Sequence, residues 1–229
     1  MKNVISIIIV ISFSVINTSL VKAAGRTFDG KIGTAYATDP EKFGLQLNFA
    51  YFADLDPYFV AGIEPGIYWI KWDRKVGTRP QGEYTADVKA DTNAYLFPIL
   101  LDAQIRLPNL KKKTFVLPYF TIGLGYSLMI YNYEQPTYTD SVTGVTVIAE
   151  DKTKFYSGFT WHFLAGATVK PGSESSIEFL AELGYRGAKL KKGNLEVDMS
   201  GFLLNIGVRY PFGKSRSRNN VIEPTIYVE

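Results

Sequence analysis

The residues able to do chemistry in this chain are few and scattered. There is one histidine, His162, and no cysteine among the 229 residues. Without thiols there is no disulfide, no thiolate metal site and no thiol nucleophile. His162 follows Trp161 on the polar side of an alternating stretch. A catalytic histidine needs a serine or an acid beside it, and Glu178 or Glu182 on the next alternating stretch would have to supply one. The alternative is a histidine held within a hydrogen-bond network. Asp54 and Asp56 flank Leu55 just before Pro57, which suits a tight turn better than a calcium loop. Gly123-Leu124-Gly125 lies inside an apolar run, where glycine makes room for side chains or curvature rather than cradling phosphate. No His or Cys cluster offers zinc ligands. No catalytic residue, metal or cofactor is expected.

The remaining chemistry is charge. The chain has 25 basic and 22 acidic residues, a formal net charge of +3. This near balance gives no case for nucleic-acid binding. Several charges recur on the polar side of alternating segments: Lys31, Glu64, Asp102, Arg106, Glu178, Glu182, Arg186 and Arg209, with His162 among them. Acids and bases are equal in number in that set.

The elements that must position these residues are β-strands. Side chains alternate faces along a strand, and period-two patterning recurs in residues 43–53, 58–72, 92–107, 115–133, 155–170, 175–190 and 197–212. Residues 27–38 carry the faintest alternation and are counted as an eighth strand. The last segment is the clearest: Phe202, Leu204, Ile206, Val208, Tyr210 and Phe212 on one face, Asn205 and Arg209 on the other. Residues 39–42, 54–57, 108–114, 171–174 and 191–196 read as turns. Residues 73–91 and 134–153 read as long polar loops. No heptad pattern, long amphipathic helix or domain boundary appears.

The N-terminus reads as a secretory leader. Lys2 precedes an apolar run from Val4 to Ile16, and Val21 and Ala23 suit the −3 and −1 positions of a signal-peptidase site. Cleavage is expected after Ala23, with Gly25 the second choice. The competing reading is an uncleaved anchor, for which the run is short beside the ~20 residues of a spanning helix. Removing residues 1–23 takes away Lys2 and Lys22 and no acid, so the remainder is almost uncharged.

Alternation alone does not say whether the apolar face points inward or outward. Four features point outward, toward lipid. The strands run to about 11–19 residues, far beyond the usual 5–6. Aromatic residues gather near strand ends; Tyr58, Phe59, Trp69, Trp72, Phe115, Tyr131, Tyr133, Tyr210 and Phe212 would form two interfacial girdles. Short turns alternate with long loops. The polar face carries ions of both signs, which are costly in a soluble core but can pair in a lumen. Eight strands enclose an interior just wide enough for side chains, so a plugged polar interior is expected.

The stretch Asn205-Ile206-Gly207-Val208-Arg209-Tyr210-Pro211-Phe212 resembles the C-terminal assembly signal of bacterial outer-membrane barrels. That signal runs polar, any, Gly, any, any, aromatic or apolar, any, aromatic, with Asn205, Gly207, Tyr210 and Phe212 in the named places. Residues 24–212 resemble the small eight-stranded antiparallel up-and-down barrels of the OmpA, OmpX and OmpW type. The resemblance implies insertion into the outer-membrane bilayer of a Gram-negative-type bacterium by the barrel-assembly machinery. One departure is that Phe212 is followed by residues 213–229, which are too few for the peptidoglycan-binding domain of OmpA-type proteins. They read as a short periplasmic tail, and Lys214, Arg216 and Arg218 in it are candidate contacts to lipid head groups or peptidoglycan.

The expected function is therefore a structural or surface-interaction role as a monomer, with residues 73–91 and 134–153 as candidate contacts for a host or surface ligand. A narrow channel or carrier for small apolar solutes is the alternative. A lipid A-modifying enzyme centred on His162 is the third reading, because some barrels of this type carry a His, Ser and acid group near the outer surface. The C-terminal pattern yields a direct prediction. Phe212→Ala should lower the fraction of chain assembled in membranes more than any single substitution in residues 73–91 or 134–153, measured by heat-shifted gel mobility. Wild-type assembly of that variant would remove the assembly role from this strand.

Overall fold

The computed structural model describes residues 25–82, 84–108, 116–172 and 175–212. The leader expected at 1–23, most of the 108–114 turn, the end of the 171–174 turn, Phe115 and the tail at 213–229 lie outside the described residues. Within them the chain is built from strands: β1 (Arg26–Ala37), β2 (Lys42–Asp54), β3 (Phe59–Gln81), β4 (Tyr84–Arg106), β5 (Val116–Gln135), β6 (Tyr138–Thr139), β7 (Thr146–Val147), β8 (Glu150–Val169), β9 (Glu178–Lys192), β10 (Leu195–Asp198) and β11 (Gly201–Phe212).

One antiparallel sheet closes on itself. Its order is β10-β9-β11-β1-β2-β3-β4-β5-β8, and β8 pairs again with β9. Segments β10 and β11 both pair with β9 and form one wall strand, interrupted at Met199 and Ser200, so the wall has eight strands. Closure is made by the two ends of the described chain. Arg26 lies opposite Phe212, Ile32 opposite Ile206 and Ala35 opposite Leu203. Consecutive strands are neighbours throughout, which is an up-and-down barrel. The expected eighth strand is β1, and it is the closing partner of β11.

The apolar set points outward on every wall strand. On β11, Phe202, Leu204, Ile206, Val208 and Tyr210 are exposed, while Leu203, Asn205 and Arg209 are buried. On β2, Phe43, Leu45, Leu47 and Phe49 are exposed, and Gln46, Asn48, Ala50 and Phe52 are buried. A water-soluble fold does the reverse. The strands are tightly apposed in places. A Cβ on Gly207 would strike the carbonyl of Gly30 across the β1–β11 seam, which accounts for glycine there.

Four expectations are corrected. Residues 73–91 are not a loop. β3 and β4 continue as a paired ribbon out to Gln81 opposite Tyr84, and cross-strand pairs Lys71–Asp91 (3.1 Å) and Lys75–Asp87 (2.6 Å) bridge it. The β3 half, from Asp73 to Gln81, is mostly polar on both faces and holds Gly77 and Pro80, which hides the strand, whereas on β4 the buried Val88 and Ala90 still alternate with the charged Asp87, Lys89 and Asp91. Residues 134–153 similarly contain the start of β8 and the small β6–β7 hairpin. Residues 191–196 mostly continue the β9–β10 ladder, turning at Gly193, whose φ of 59° suits glycine. The aromatic girdles also lose members. Trp72, Tyr131 and Tyr133 face inward; Trp72 and Tyr131 meet edge-on at 5.7 Å, and Tyr131 meets Tyr156 at 5.9 Å.

The interior is filled in two zones. Toward the end holding both described termini lie the charged residues. Toward the opposite, distal end lies an apolar layer that includes Ile70, Leu96, Met129, Leu190 and Met199, each at most 1% exposed. The polar interior expected from sequence thus occupies only part of the lumen. The outward apolar face is directly testable. Ile206→Arg, at the middle of β11, should cost about 2–4 kcal/mol of folding free energy in lipid vesicles, measured by urea titration. A cost below ~0.5 kcal/mol, usual for a water-exposed surface site, would show that this face does not meet hydrocarbon.

Candidate functional site

The chemistry of the described chain is concentrated inside the barrel, where alternation delivers one residue in two from every strand. Lys31 on β1 is at the centre. Its Nζ donates to Glu64 Oε2 of β3 at 2.6 Å and to Glu182 Oε2 of β9 at 3.0 Å. All three side chains are at most 2% exposed. Glu182 accepts further bonds from the Tyr119 hydroxyl at 2.9 Å and from Asn205 Nδ2 at 3.2 Å, and Gln46 Nε2 donates to Asn205 Oδ1. One cation and two carboxylates therefore tie five wall strands together with β5. Such a cluster is costly to desolvate, and its geometry must be well satisfied to persist.

Nearer the termini, Arg209 grips Asp29 in a bidentate pair, at 2.8 Å from Nε and 2.7 Å from Nη2. Its guanidinium lies 5.0 Å from the Tyr119 ring centre and 5.9 Å from that of Phe52. Planar guanidinium groups suit both contacts. Arg106 donates to Asp54 at 2.9 Å and to Gln104 at 2.9 Å, closing the terminal end of β4. Arg186 stands apart at the boundary with the apolar layer. It lies 4.3 Å above the Tyr68 ring and donates to the Met199 carbonyl at 3.2 Å.

His162 is not beside Glu178 or Glu182. Its Nε2 is 3.1 Å from Asp102 Oδ1 on β4, two strands away through β5, and both groups are buried. The two do not align as a hydrogen bond, and both Asp102 oxygens lack a donor among the described residues. Gly123 of β5 lies between the two strands, opposite both residues; any Cβ there would run into the two side chains. Glycine in this strand thus permits a contact across it. The nearby hydroxyls are already engaged, Thr160 donating to Ser127 at 2.7 Å.

The sequence-predicted lumen residues thus fall into separate groups. Lys31, Glu64 and Glu182 form one, Asp102 and His162 another, and Arg106, Arg186 and Arg209 each take their own partner. Glu178 is half-buried at the start of β9, opposite Arg209. The partners Gln46, Gln104 and Tyr119 fall on the polar faces of their strands by parity, although alternation does not mark them as partners of the charges, and Asp29 is the one partner outside the sequence reading. Asp29 had a signal, since it lies two residues from Lys31 and shares its face. Of the assembly-pattern residues, Asn205 is part of the Glu182 cluster, and Gly207 sits at the tight seam. Tyr210 points outward, with Phe212 stacked on it at 6.3 Å. Asp56 caps its turn, accepting from the amides of Tyr58 and Phe59 at 2.6 and 2.8 Å. No group of three His, Cys, Asp or Glu side chains suited to a metal occurs among the described residues.

Comparison with known proteins gives a family. The model of a family described as "Outer membrane protein beta-barrel domain" matches residues 9–212. None of the curated proteins matches. Among solved structures, the chain is similar to Neisserial surface protein A at 15% identity, covering 82% of this chain and 96% of that one with a TM-score of 0.49. It is similar to a major outer membrane protein of Thermus thermophilus at 16% identity, covering 82% and 99% with a TM-score of 0.48. It is also similar to the attachment invasion locus protein of Yersinia pestis at 12% identity, covering 82% and 97% with a TM-score of 0.42.

The central cluster predicts an asymmetric mutational response. Lys31→Met leaves two buried carboxylates uncompensated and should cost about 3–5 kcal/mol, measured by urea titration in vesicles. Adding Glu64→Gln and Glu182→Gln should recover most of the loss. A Lys31→Met cost under ~1 kcal/mol would mean that solvent screens the cluster.

Proposed function

Because the chain belongs to the outer membrane protein beta-barrel domain family, we propose that it serves the bacterial outer membrane as a closed barrel with a structural or surface-interaction role. It is an integral protein of the cell outer membrane, with its apolar strand faces in the bilayer. Residues 1–23 are a cleavable signal peptide, residues 24–212 the barrel and residues 213–229 a short periplasmic tail. The barrel-assembly machinery reads Asn205, Gly207, Tyr210 and Phe212 on the closing strand, and the protein acts as a monomer. The terminal end faces the periplasm, and the longer distal hairpins face outward from the cell.

The filling of the interior supports the closed reading. From the periplasmic end inward, Phe52, Tyr119 and the Asp29–Arg209 pair come first. The Lys31–Glu64–Glu182 cluster and the His162–Asp102 pair come next. The apolar layer from Tyr68 to Met199 lies beyond. An ion would have to break paired charges and then cross a dry layer, both of which are costly. The distal end offers long hairpins carrying exposed polar and charged side chains, which fits a protein whose contacts are made at the cell surface.

Planar-bilayer recording tests the reading. The full chain should insert without steady unitary currents at moderate voltage. Reproducible unitary conductance would favour a narrow channel and contradict the closed lumen.

A further inference from the structure

Above the apolar layer, β3, β5 and β8 rise past the bilayer zone and enclose a recess of about 420 Å3 at the barrel mouth. Its lining includes Tyr131, whose ring is braced from below by Trp72 and Tyr156. Tyr133 stands one inward position higher, its hydroxyl donating to Gln135 at 2.6 Å. The walls carry Arg74 and Lys75 from β3 and Lys152 and Lys154 from β8, against the single carboxylate of Glu150. Lys75 is turned to Asp87 and Lys152 to Glu150, while Arg74 and Lys154 have no ion-pair partner among the described residues.

The hairpin β6–β7 packs beside β3 and helps to fix its position. The Tyr138 hydroxyl donates to the Val76 carbonyl at 2.9 Å, and the Thr78 and Ser141 hydroxyls meet at 2.5 Å. Its turn is held by Asp140, which accepts from the Thr143 and Val142 amides at 2.9 and 3.0 Å. Those bonds, the Thr143 amide first, hold the Asp140 carboxyl below the usual range. The recess is thus a built feature, with paired strands on its sides and a packed aromatic floor.

We propose that this vestibule binds a phosphate- or sulfate-bearing saccharide. Arg74, Lys152 and Lys154 would hold the anionic groups, arginine in bidentate fashion. Tyr131 and Tyr133 line the recess beside these cations, and the Gln135 amide offers hydrogen bonds to sugar hydroxyls. The volume lies within the range of small-ligand sites. The recess opens along the barrel axis rather than on the lipid-facing wall, so the structure favours a free saccharide over the head group of a neighbouring lipid. This deepens the surface-interaction reading and rests on the distal end facing outward.

The test uses the full chain folded in neutral detergent micelles and titrated calorimetrically with a heparin-derived tetrasaccharide. Maltotetraose is the uncharged control, and lipid A in mixed micelles is a separate arm. The sulfated tetrasaccharide should bind and maltotetraose should not. Combined Arg74→Gln, Lys152→Gln and Lys154→Gln should weaken binding about tenfold. Lys89→Gln with Lys189→Gln and Lys191→Gln, which removes equal charge elsewhere, should not. If the triple variant does not assemble, Arg74→Gln and Lys154→Gln carry the test singly. Equal weakening by both triple variants, undiminished binding by the first, or no binding of the tetrasaccharide would overturn the proposal. Binding of lipid A alone would overturn its assignment to a free saccharide. Heat-shifted mobility of each variant is read in parallel, so loss of the barrel is distinguished from loss of the site.

Discussion

A sheet in hydrocarbon has no water to hydrogen-bond its edges, so it must close. Everything else in this chain follows from the pairing of β1 with β11. That pairing brings the first and last described strands together over ten register pairs, Arg26–Phe212 to Ala35–Leu203. It places both described ends of the chain at one end of the barrel. It also encloses a lumen so narrow that inward side chains from opposite strands must fit one another. The seam is tight enough to require Gly207 beside the Gly30 carbonyl.

Closure then determines how charge is handled. Ions from distant strands meet inside, where water is scarce and unpaired charge is prohibitive. Lys31 answers by bridging Glu64 and Glu182, and Arg209 by its two bonds to Asp29. The aromatic rings of Tyr119, Phe52 and Tyr68 add cation–π contacts to the arginines. Past Arg186 the interior changes character and packs Ile70, Leu96, Met129 and Leu190 as an ordinary core. The barrel is therefore apolar outside, charged within near its terminal end, and apolar within near its distal end. The last zone separates the charge network from the basic vestibule at the mouth.

Much of this was legible because strand periodicity is a two-state signal. The outward set of β11, from Phe202 to Tyr210, could be read residue by residue, and so could the inward set of Asn205 and Arg209. Legibility failed where that signal loses contrast. In residues 73–81 both faces are mostly polar and Gly77 and Pro80 interrupt them, so the paired β3–β4 ribbon reads as a loop, although Ala86, Val88 and Ala90 on β4 alternate with Asp87, Lys89 and Asp91. Trp72 and Tyr131 were placed among girdle residues by type, although their parity puts them on the inward side with Ile70 and Met129. The inner apolar layer was missed because Leu96 and Leu190 sit on faces that elsewhere hold polar groups. Partner choice was beyond the sequence. His162 was set against Glu178 or Glu182 by strand adjacency, yet it reaches Asp102 across a glycine. Which acid meets which base depends on register, and alternation leaves register open by steps of two residues.

Register at the seam is therefore the most direct point of test. Ile32 and Ile206 face each other across β1 and β11, and a disulfide requires Cα atoms within roughly 7 Å. The full chain carrying Ile32→Cys and Ile206→Cys, oxidised mildly in isolated outer membranes, should form an internal crosslink. Boiled without reductant it should run faster than after reduction. The pair Ile32→Cys with Phe202→Cys, displaced along the same outward face, should stay reduced. Crosslinking of the displaced pair, or of neither, would contradict a barrel closed in this register.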